Sequence, residues 1–82
     1  MKLSVIVPVY NEAATITEVV RRVLAVHVLK ELVIVDDGST DGTREFLRQL
    51  PPDEATVLFH ERNLGKGAAI RTALEHVSGE IV

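Results

Sequence analysis

The segment from Leu32 to Thr43, LVIVDDGSTDGT, places the strongest constraint on the fold. Its first four residues are apolar and mostly β-branched, without alternation of polar and apolar side chains, which is typical of a strand buried on both faces of a parallel sheet. The run ends at two carboxylates, Asp36 and Asp37, and a glycine turn. Because open parallel sheets bind ligands beyond the carboxyl ends of their strands, the two aspartates are predicted at a ligand-binding edge.

The rest of the chain alternates apolar runs with segments of helical spacing. The predicted elements, in chain order, are a strand at Leu3–Val9, a helix at 13–26, a strand at Leu32–Val35, a helix at 41–50, a strand at Ala55–Phe59, a helix at 68–77 and a strand that opens at Ile81 and Val82. This order predicts an α/β fold with a Rossmann-like parallel sheet, strand order 3-2-1-4 and helices on both faces. The first two helices are expected on one face and the third on the other.

Composition narrows the class of protein. A chain of 82 residues with 46% hydrophobic and 26% charged residues is typical of one soluble domain, which here spans residues 1–82. The net charge of -3 and the scattered basic residues argue against nucleic acid as a partner, and the lack of cysteine excludes disulfides and thiolate metal sites. The apolar run near Met1 is too short for a signal peptide, so a native start and a cytoplasmic location are predicted.

The acidic turn after the second strand allows several functions. An EF-hand is excluded because position twelve, counted from Asp37, is Arg48 rather than glutamate. A haloacid-dehalogenase nucleophile is excluded because Gly38 stands where the second acid is needed. A phosphoryl-accepting receiver domain stays open by analogy of fold alone. The residue types leave ligand binding and simple turn chemistry about equally supported, with Asp41 as an N-cap of the second helix.

Two further segments carry polar residues at predicted strand ends. The loop NLGKG, residues 63–67, matches neither a Walker A motif nor a dinucleotide fingerprint, but Lys66 near a helix start suits an anion. Tyr10 can stack on a flat ring and Glu12 can accept hydrogen bonds from a ribose. The alternatives are a solvated lysine and helix capping by Asn11 with Glu12 in the first turn.

The histidines share no spacing that would gather a metal ion. His27, His60 and His76 are therefore predicted as surface or boundary residues. The serines lack the context of a nucleophile elbow, so an acyl-transfer triad is not expected.

Taken together, VIVPVYNE, VDDGSTDGT and NLGKGAAI resemble the amino-terminal half of family-2 glycosyltransferases of the GT-A fold. The likeness is strongest to the polyprenyl-phosphate and dolichyl-phosphate mannosyl- and glucosyltransferases, and it covers essentially all 82 residues. It implies a nucleoside-diphosphate sugar of the UDP or GDP type as ligand. The implied reaction is inverting transfer of the sugar to a lipid phosphate or another hydroxyl acceptor.

The resemblance also implies roles for individual residues. Asp37 matches the residue that hydrogen-bonds the base, Asp36 is expected to shape the turn, and Lys66 matches a basic position near the nucleotide. The complete nucleotide-binding set implied in this way is Pro8, Tyr10, Glu12, Asp36, Asp37 and Lys66.

The chain departs from the family pattern at its end. In the family, the strand that begins near Glu80 leads to an Asp-x-Asp motif that holds Mg²⁺ or Mn²⁺, and a later carboxylate serves as base, whereas this sequence ends at Val82. An incomplete GT-A domain, a truncated piece or a fragmentary gene product, is therefore expected. It should lack catalytic and metal residues and bind nucleotide without catalysis.

Expected partners follow from the same departure. Membrane contact is predicted only through missing segments or a lipid acceptor, at the cytosolic face in a full-length protein. The open edge of the sheet predicts self-association. The alternative interpretation is a stand-alone, non-catalytic α/β module that binds a nucleotide or a protein.

Overall fold

A computed structural model describes residues 3–26, 30–77 and 80–81, and it confirms the predicted α/β class with a parallel sheet. The elements are β1 (Leu3–Val9), α1 (Ile16–Ala25), β2 (Lys30–Asp36), α2 (Thr43–Arg48), β3 (Thr56–Phe59), α3 (Lys66–Leu74) and β4 (Glu80–Ile81). The predicted strand residue Val82 and the predicted surface residue His27 lie outside the described residues.

The strands lie in the order β3-β2-β1-β4, and every pair is parallel. β1 and β2 pair along their whole length, from Leu3 opposite Lys30 to Val9 opposite Asp36. The described residues of β4, Glu80 and Ile81, pair with the first two residues of β1, Leu3 and Ser4. The carboxyl ends of β1, β2 and β3 therefore meet at one edge of the sheet.

Pro8 fits within β1 because of the direction its backbone faces. The Val9 carbonyl accepts a hydrogen bond from the Asp37 N–H at 2.8 Å, so the backbone polar groups of Val9 point towards β2. The backbone groups of successive strand residues point alternately to the two neighbouring positions in a sheet. The nitrogen of Pro8 therefore points away from β2, and the N–H that it lacks removes no hydrogen bond to that strand.

The apolar run of β2 is buried because both faces of the sheet are covered. Leu32 and Ile34 pack into a cluster with α1 and α2, which also contains Val9, Ile16, Val20, Leu47 and Ala55. Val33 and Val35 pack on the opposite face against Ala69 and Ala73 of α3. The helices are therefore distributed over the two faces as the sequence predicted.

The helix boundaries differ from the predicted ones because loop contacts set them. α1 begins at Ile16 rather than residue 13, and residues 13–15 form a turn in which the Thr15 and Ile16 N–H groups both donate to the Glu12 carbonyl. The Ala13 N–H, which would have no acceptor within a helix that started there, donates to Asp41 Oδ2 at 3.1 Å.

α2 spans Thr43–Arg48, and it begins after Gly42 because the left-handed φ of 103° at Gly42 is not found inside an α-helix. The predicted N-cap role of Asp41 is wrong, since Gly42 is the N-cap, although Asp41 Oδ1 accepts the Thr43 N–H at 3.1 Å.

α3 begins and ends earlier in the chain than the sequence pattern predicts. It begins at Lys66 and ends at Leu74, whereas residues 68–77 were expected. The Leu64 and Gly65 N–H groups that precede it donate to the carboxylate of Asp37, far away in sequence. A local sequence pattern does not reveal such a distant partner.

Within the described ranges 3–26, 30–77 and 80–81, each helix is too short or too polar to cross a bilayer.

Replacing Leu47 with alanine tests the core under α1 and α2. Leu47 is 1% exposed, so Leu47→Ala should lower the free energy of unfolding by about 2–5 kcal/mol. Leu74→Ala is the matched control, because Leu74 is 42% exposed and should cost well under half as much. Urea unfolding followed by circular dichroism measures both, and equal losses would contradict this packing.

Candidate functional site

A cleft of about 820 Å³ lies at the carboxyl ends of β1 and β2, beside the start of α3. The residues predicted from the sequence that line this cleft are Pro8, Tyr10, Glu12, Asp37 and Lys66. The predicted residue Asp36 does not line it. The other lining residues are Ile6, Val9, Asn63, Gly65, Ala69 and Ile70. Three segments that are distant in sequence thus border one cleft.

Backbone hydrogen bonds continue the parallel pairing past the strand ends. The Asp37 N–H donates to the Val9 carbonyl at 2.8 Å, and the His60 N–H donates to the Asp36 carbonyl at 2.8 Å. The segments that leave β1, β2 and β3 therefore start side by side. This holds the cleft-lining residues of different loops at fixed spacing.

The β1–α1 loop (residues 10–15) is bound to the β2–α2 loop (residues 37–42) through Asn11. The Asn11 N–H donates to Ser39 Oγ at 2.8 Å, and Asn11 Oδ1 accepts the Thr40 N–H at 2.8 Å. Asn11 has a left-handed φ of 51°, which asparagine tolerates better than most residues. The predicted capping of α1 by Asn11 is wrong, because its side chain binds the neighbouring loop.

Thr43 and Asp41 extend the contact between these loops. The Glu12 N–H donates to Thr43 Oγ1 at 3.0 Å, and the Thr43 hydroxyl donates to Asp41 Oδ1 at 2.5 Å. The hydrogen bond from Thr43 is the main reason that the pKa of Asp41 lies below its usual value. The serine, threonines and aspartate of the STDGT segment therefore hold Tyr10 and Glu12 beside the end of β2.

Asp36 is completely buried below the turn and is not part of the cleft wall. Its Oδ2 accepts the Ser39 N–H at 3.2 Å and lies 3.3 Å from Arg44 Nε. The structure therefore supports the interpretation that Asp36 shapes the turn, and it does not place the side chain where a ligand in the cleft would touch it.

Asp37 is only 3% exposed, and its carboxylate binds the β3–α3 loop (residues 60–65). Oδ1 accepts the Leu64 N–H at 2.9 Å and lies 2.8 Å from His60 Nδ1, while Oδ2 accepts the Gly65 N–H at 2.9 Å. Burial acts to raise the pKa of Asp37, but the hydrogen bonds from His60, Leu64 and Gly65 outweigh it, so the pKa lies below its usual value. Asp37 is thus an ionised anchor for the loop that leads into α3.

Gly38 allows this loop to pass directly over the acidic turn. A Cβ at position 38 would lie 2.5 Å from the carbonyl carbon of Arg62 and 2.6 Å from the nitrogen of Asn63. The φ of Gly38 is also left-handed, at 80°. Two independent restrictions therefore exclude a side chain here.

His60 was predicted as a surface or boundary residue, and the structure gives it a specific inner contact. Its side chain is 10% exposed and bridges Asp37 Oδ1 and Thr72 Oγ1, each at 2.8 Å from a ring nitrogen. Its partners are 23 and 12 residues away, which explains why local spacing did not single it out. His76 is exposed, as expected.

The side chains that line the cleft combine one aromatic ring, one ammonium group and two carboxylates. In the parts of the chain that the structure describes, no group of three or more His, Cys, Asp or Glu residues could hold a metal. Both carboxylate oxygens of Asp37 and of Asp41 have donors of the chain itself as partners. Asp36 Oδ1 has no hydrogen-bond partner among the described residues, but this side chain is completely buried and does not line the cleft. Tyr10 and Lys66 instead offer an exposed ring and an exposed ammonium group at the edge of the cleft.

Acid unfolding tests the anchoring role of Asp37. Because its pKa is lower in the folded chain, Asp37 stabilises the fold above the unfolded value of about 3.9, and this contribution is lost as the pH falls towards the folded value. Asp37→Asn should therefore be less stable than the wild type at pH 7, with a difference that shrinks towards pH 3. Asp53→Asn, at an exposed position, should follow the wild type throughout; an Asp37→Asn difference independent of pH would contradict the anchor.

Two glycine substitutions separate close approach from backbone strain. Gly38 and Gly42 both have left-handed φ, but an added Cβ meets nothing within 4 Å at Gly42. Gly38→Ala should therefore destabilise the chain more than Gly42→Ala. Gly42→Ala should lower the free energy of unfolding by about 1–2 kcal/mol, through the left-handed backbone conformation alone. Thermal unfolding of both variants measures the difference, and equal shifts would show that the loop does not lie against Gly38.

Curated relatives align with the whole of the chain but extend well beyond it. An undecaprenyl-phosphate 4-deoxy-4-formamido-L-arabinose transferase of Edwardsiella ictaluri is 36% identical over 98% of this chain and 27% of its own length. A glycosyltransferase of Nostoc sp. is 41% identical over all of this chain and 26% of its own length. The chain thus spans about a quarter of these relatives.

Solved structures share the fold at similar identity. A mannosyltransferase of Pyrobaculum calidifontis in complex with GDP-Man and Mn²⁺ has a TM-score of 0.87 at 37% identity, over 96% of this chain and 25% of that one. TarS residues 1–349 of S. aureus in complex with UDP has a TM-score of 0.85 at 34% identity, over 100% of this chain and 27% of that one.

The sequence profile of Glycosyl transferase family 2 matches residues 4–82. The parallel sheet, the related sequences and the related structures agree with that match, and the chain belongs to glycosyltransferase family 2.

Proposed function

We propose that this chain forms the part of a glycosyltransferase that binds a nucleoside-diphosphate sugar. The observation that carries the proposal is the convergence of Tyr10, Glu12, Asp37 and Lys66 on one cleft from two loops and the start of α3. The complete enzyme would transfer the sugar, with inversion, to a lipid phosphate or another hydroxyl acceptor. The undecaprenyl-phosphate transferase among the relatives supports a lipid phosphate as the acceptor class.

The nucleoside would bind between the ends of β1 and β2. Tyr10 is 47% exposed, so its ring is free to stack on a base or ribose. Glu12 lies next to it along the cleft wall and offers an acceptor for ribose hydroxyls. Asp37 borders the same space with a carboxylate that donors of the loop hold in the charged form. An acceptor in this position suits a ring N–H of a base.

The diphosphate would bind near the start of α3. Lys66 is the first residue of this helix, is exposed and lines the cleft. The N–H groups of a first helical turn carry partial positive charge, which adds to the charge of the ammonium group.

Metal-assisted departure of the diphosphate would require residues outside this chain. The described residues do not fit a metal ion, since they contain no cluster of three suitable side chains. The related mannosyltransferase binds Mn²⁺ together with GDP-Man. We therefore assign the metal ligands, Mg²⁺ or Mn²⁺ being the expected ion, and the catalytic base to the rest of the enzyme. The chain by itself would bind nucleotide without catalysing transfer.

Titration with UDP, GDP and uridine in EDTA tests this function. Lys66→Ala should weaken binding of the diphosphate by about fivefold to tenfold, which corresponds to one charge-assisted contact. Binding of uridine should be unchanged, because it lacks the phosphates. Isothermal titration calorimetry measures these affinities.

Arg71→Ala is the control, since Arg71 lies later on α3 and does not line the cleft. It should bind UDP as the wild type does. A wild-type chain that binds neither UDP nor GDP would refute the proposed function, and equal losses for UDP and uridine would refute the placement of the phosphates.

A further inference from the structure

His60 contacts the cleft only through another residue. His60 is not part of the cleft lining, but Asp37 is. His60 Nδ1 lies 2.8 Å from Asp37 Oδ1. Its Nε2 lies 2.8 Å from Thr72 Oγ1 on α3, the helix that begins with Lys66. The imidazole therefore joins the end of β2 to the helix on the other side of the cleft.

The hydrogen bonds of Asp37 limit how its carboxylate can be used. A carboxylate offers about four lone pairs, two on each oxygen. Oδ1 has two partners, His60 Nδ1 and the Leu64 N–H, and Oδ2 has one, the Gly65 N–H. One lone pair of Oδ2 is left for a ligand, and its direction depends on the rotation of the carboxylate.

His60 is itself held at both ends. Its backbone N–H donates to the Asp36 carbonyl at 2.8 Å, and its ring is fixed by Thr72, whose hydroxyl also lies 3.0 Å from the Ala68 carbonyl. Since an ionised carboxylate only accepts, Nδ1 must carry the proton that faces Asp37. The ring is thus held at both nitrogens and donates to Asp37 from Nδ1.

From this arrangement we infer that His60 is a positioning residue for nucleotide recognition. Its Nδ1–H holds the carboxylate of Asp37 so that the remaining lone pair of Oδ2 faces the cleft. This inference rests on the proposed function and adds His60 and Thr72 to the residues on which the site depends. Without the ring, the terminal torsion of Asp37, which is intrinsically broad, is restrained only by backbone groups of a loop.

Two amide variants separate positioning from simple packing. His60→Asn places its Nδ2 near the position of the ring Nδ1 and keeps a donor for Asp37, but it loses Thr72. His60→Gln extends towards the position of Nε2 and keeps Thr72, but it loses the donor to Asp37. Each variant loses one of the two ring contacts, and thermal unfolding measures how much stability each loss removes.

Nucleotide affinity should distinguish the variants. We expect His60→Asn to bind UDP or GDP within about threefold of the wild type and His60→Gln to bind about tenfold more weakly. Thr72→Val, which removes the hydroxyl and keeps the shape, should resemble His60→Asn. Equal losses of affinity in His60→Asn and His60→Gln, in proportion to their losses of stability, would overturn the inference and leave His60 a packing residue.

A spectroscopic measurement tests the contact without any nucleotide. Long-range ¹H–¹⁵N correlation spectra of the wild type should show a proton on Nδ1 of His60, and the ¹³C shift of the Asp37 carboxylate should change in His60→Gln but little in His60→Asn. A neutral ring protonated only at Nε2 would overturn the inference. These spectra test the contact between His60 and Asp37 even if the chain binds neither UDP nor GDP, a result that would refute the proposed function instead.

Discussion

The cleft depends on hydrogen bonds made by one turn, residues 36–43. Its first half, through Asp37, binds the loop that follows β3, and its second half, through Ser39 and Thr43, binds the loop that follows β1. A hydrogen bond between neutral groups contributes only about 0.5–1.5 kcal/mol, and one to a charged group such as the Asp37 carboxylate about 1.5–3 kcal/mol. Acting together between rigid strand ends, these hydrogen bonds place three otherwise independent loops around a common space. The turn therefore acts mainly by positioning the neighbouring loops, and Asp37 is its residue that lines the cleft.

The sequence predicted those parts of the fold that follow from hydrophobic burial. Leu32 to Val35 form an uninterrupted apolar run because residues of alternating direction meet different helices, and that pattern is visible without any knowledge of partners. The predicted β1 boundaries, Leu3–Val9, are those of the structure. The strand ends then located Tyr10, Glu12 and Asp37, since parallel strands present their carboxyl ends at one edge.

Features that depend on distant polar contacts were not predicted. The start of α3 depends on Asp37 accepting N–H groups from Leu64 and Gly65, which lie 27 and 28 residues away. The position of the His60 ring likewise depends on distant partners, Asp37 and Thr72, which lie 23 and 12 residues away. Hydrogen-bond partners leave no periodic pattern in a sequence. Local capping was therefore one of the alternatives for Asn11, and His60 was predicted as a surface or boundary residue.

Asn11 combines two demands at a single position, and this narrows which amino acids evolution or design can place there. The left-handed backbone favours glycine, asparagine and aspartate, while the Thr40 N–H calls for a short side chain ending in an oxygen. Glycine meets the first demand and fails the second. Aspartate meets both but adds negative charge to a neighbourhood that already contains Asp41 and Glu12. Among the twenty amino acids, asparagine is the uncharged one that meets both demands. We therefore expect position 11 to vary less between related sequences than the rest of its loop.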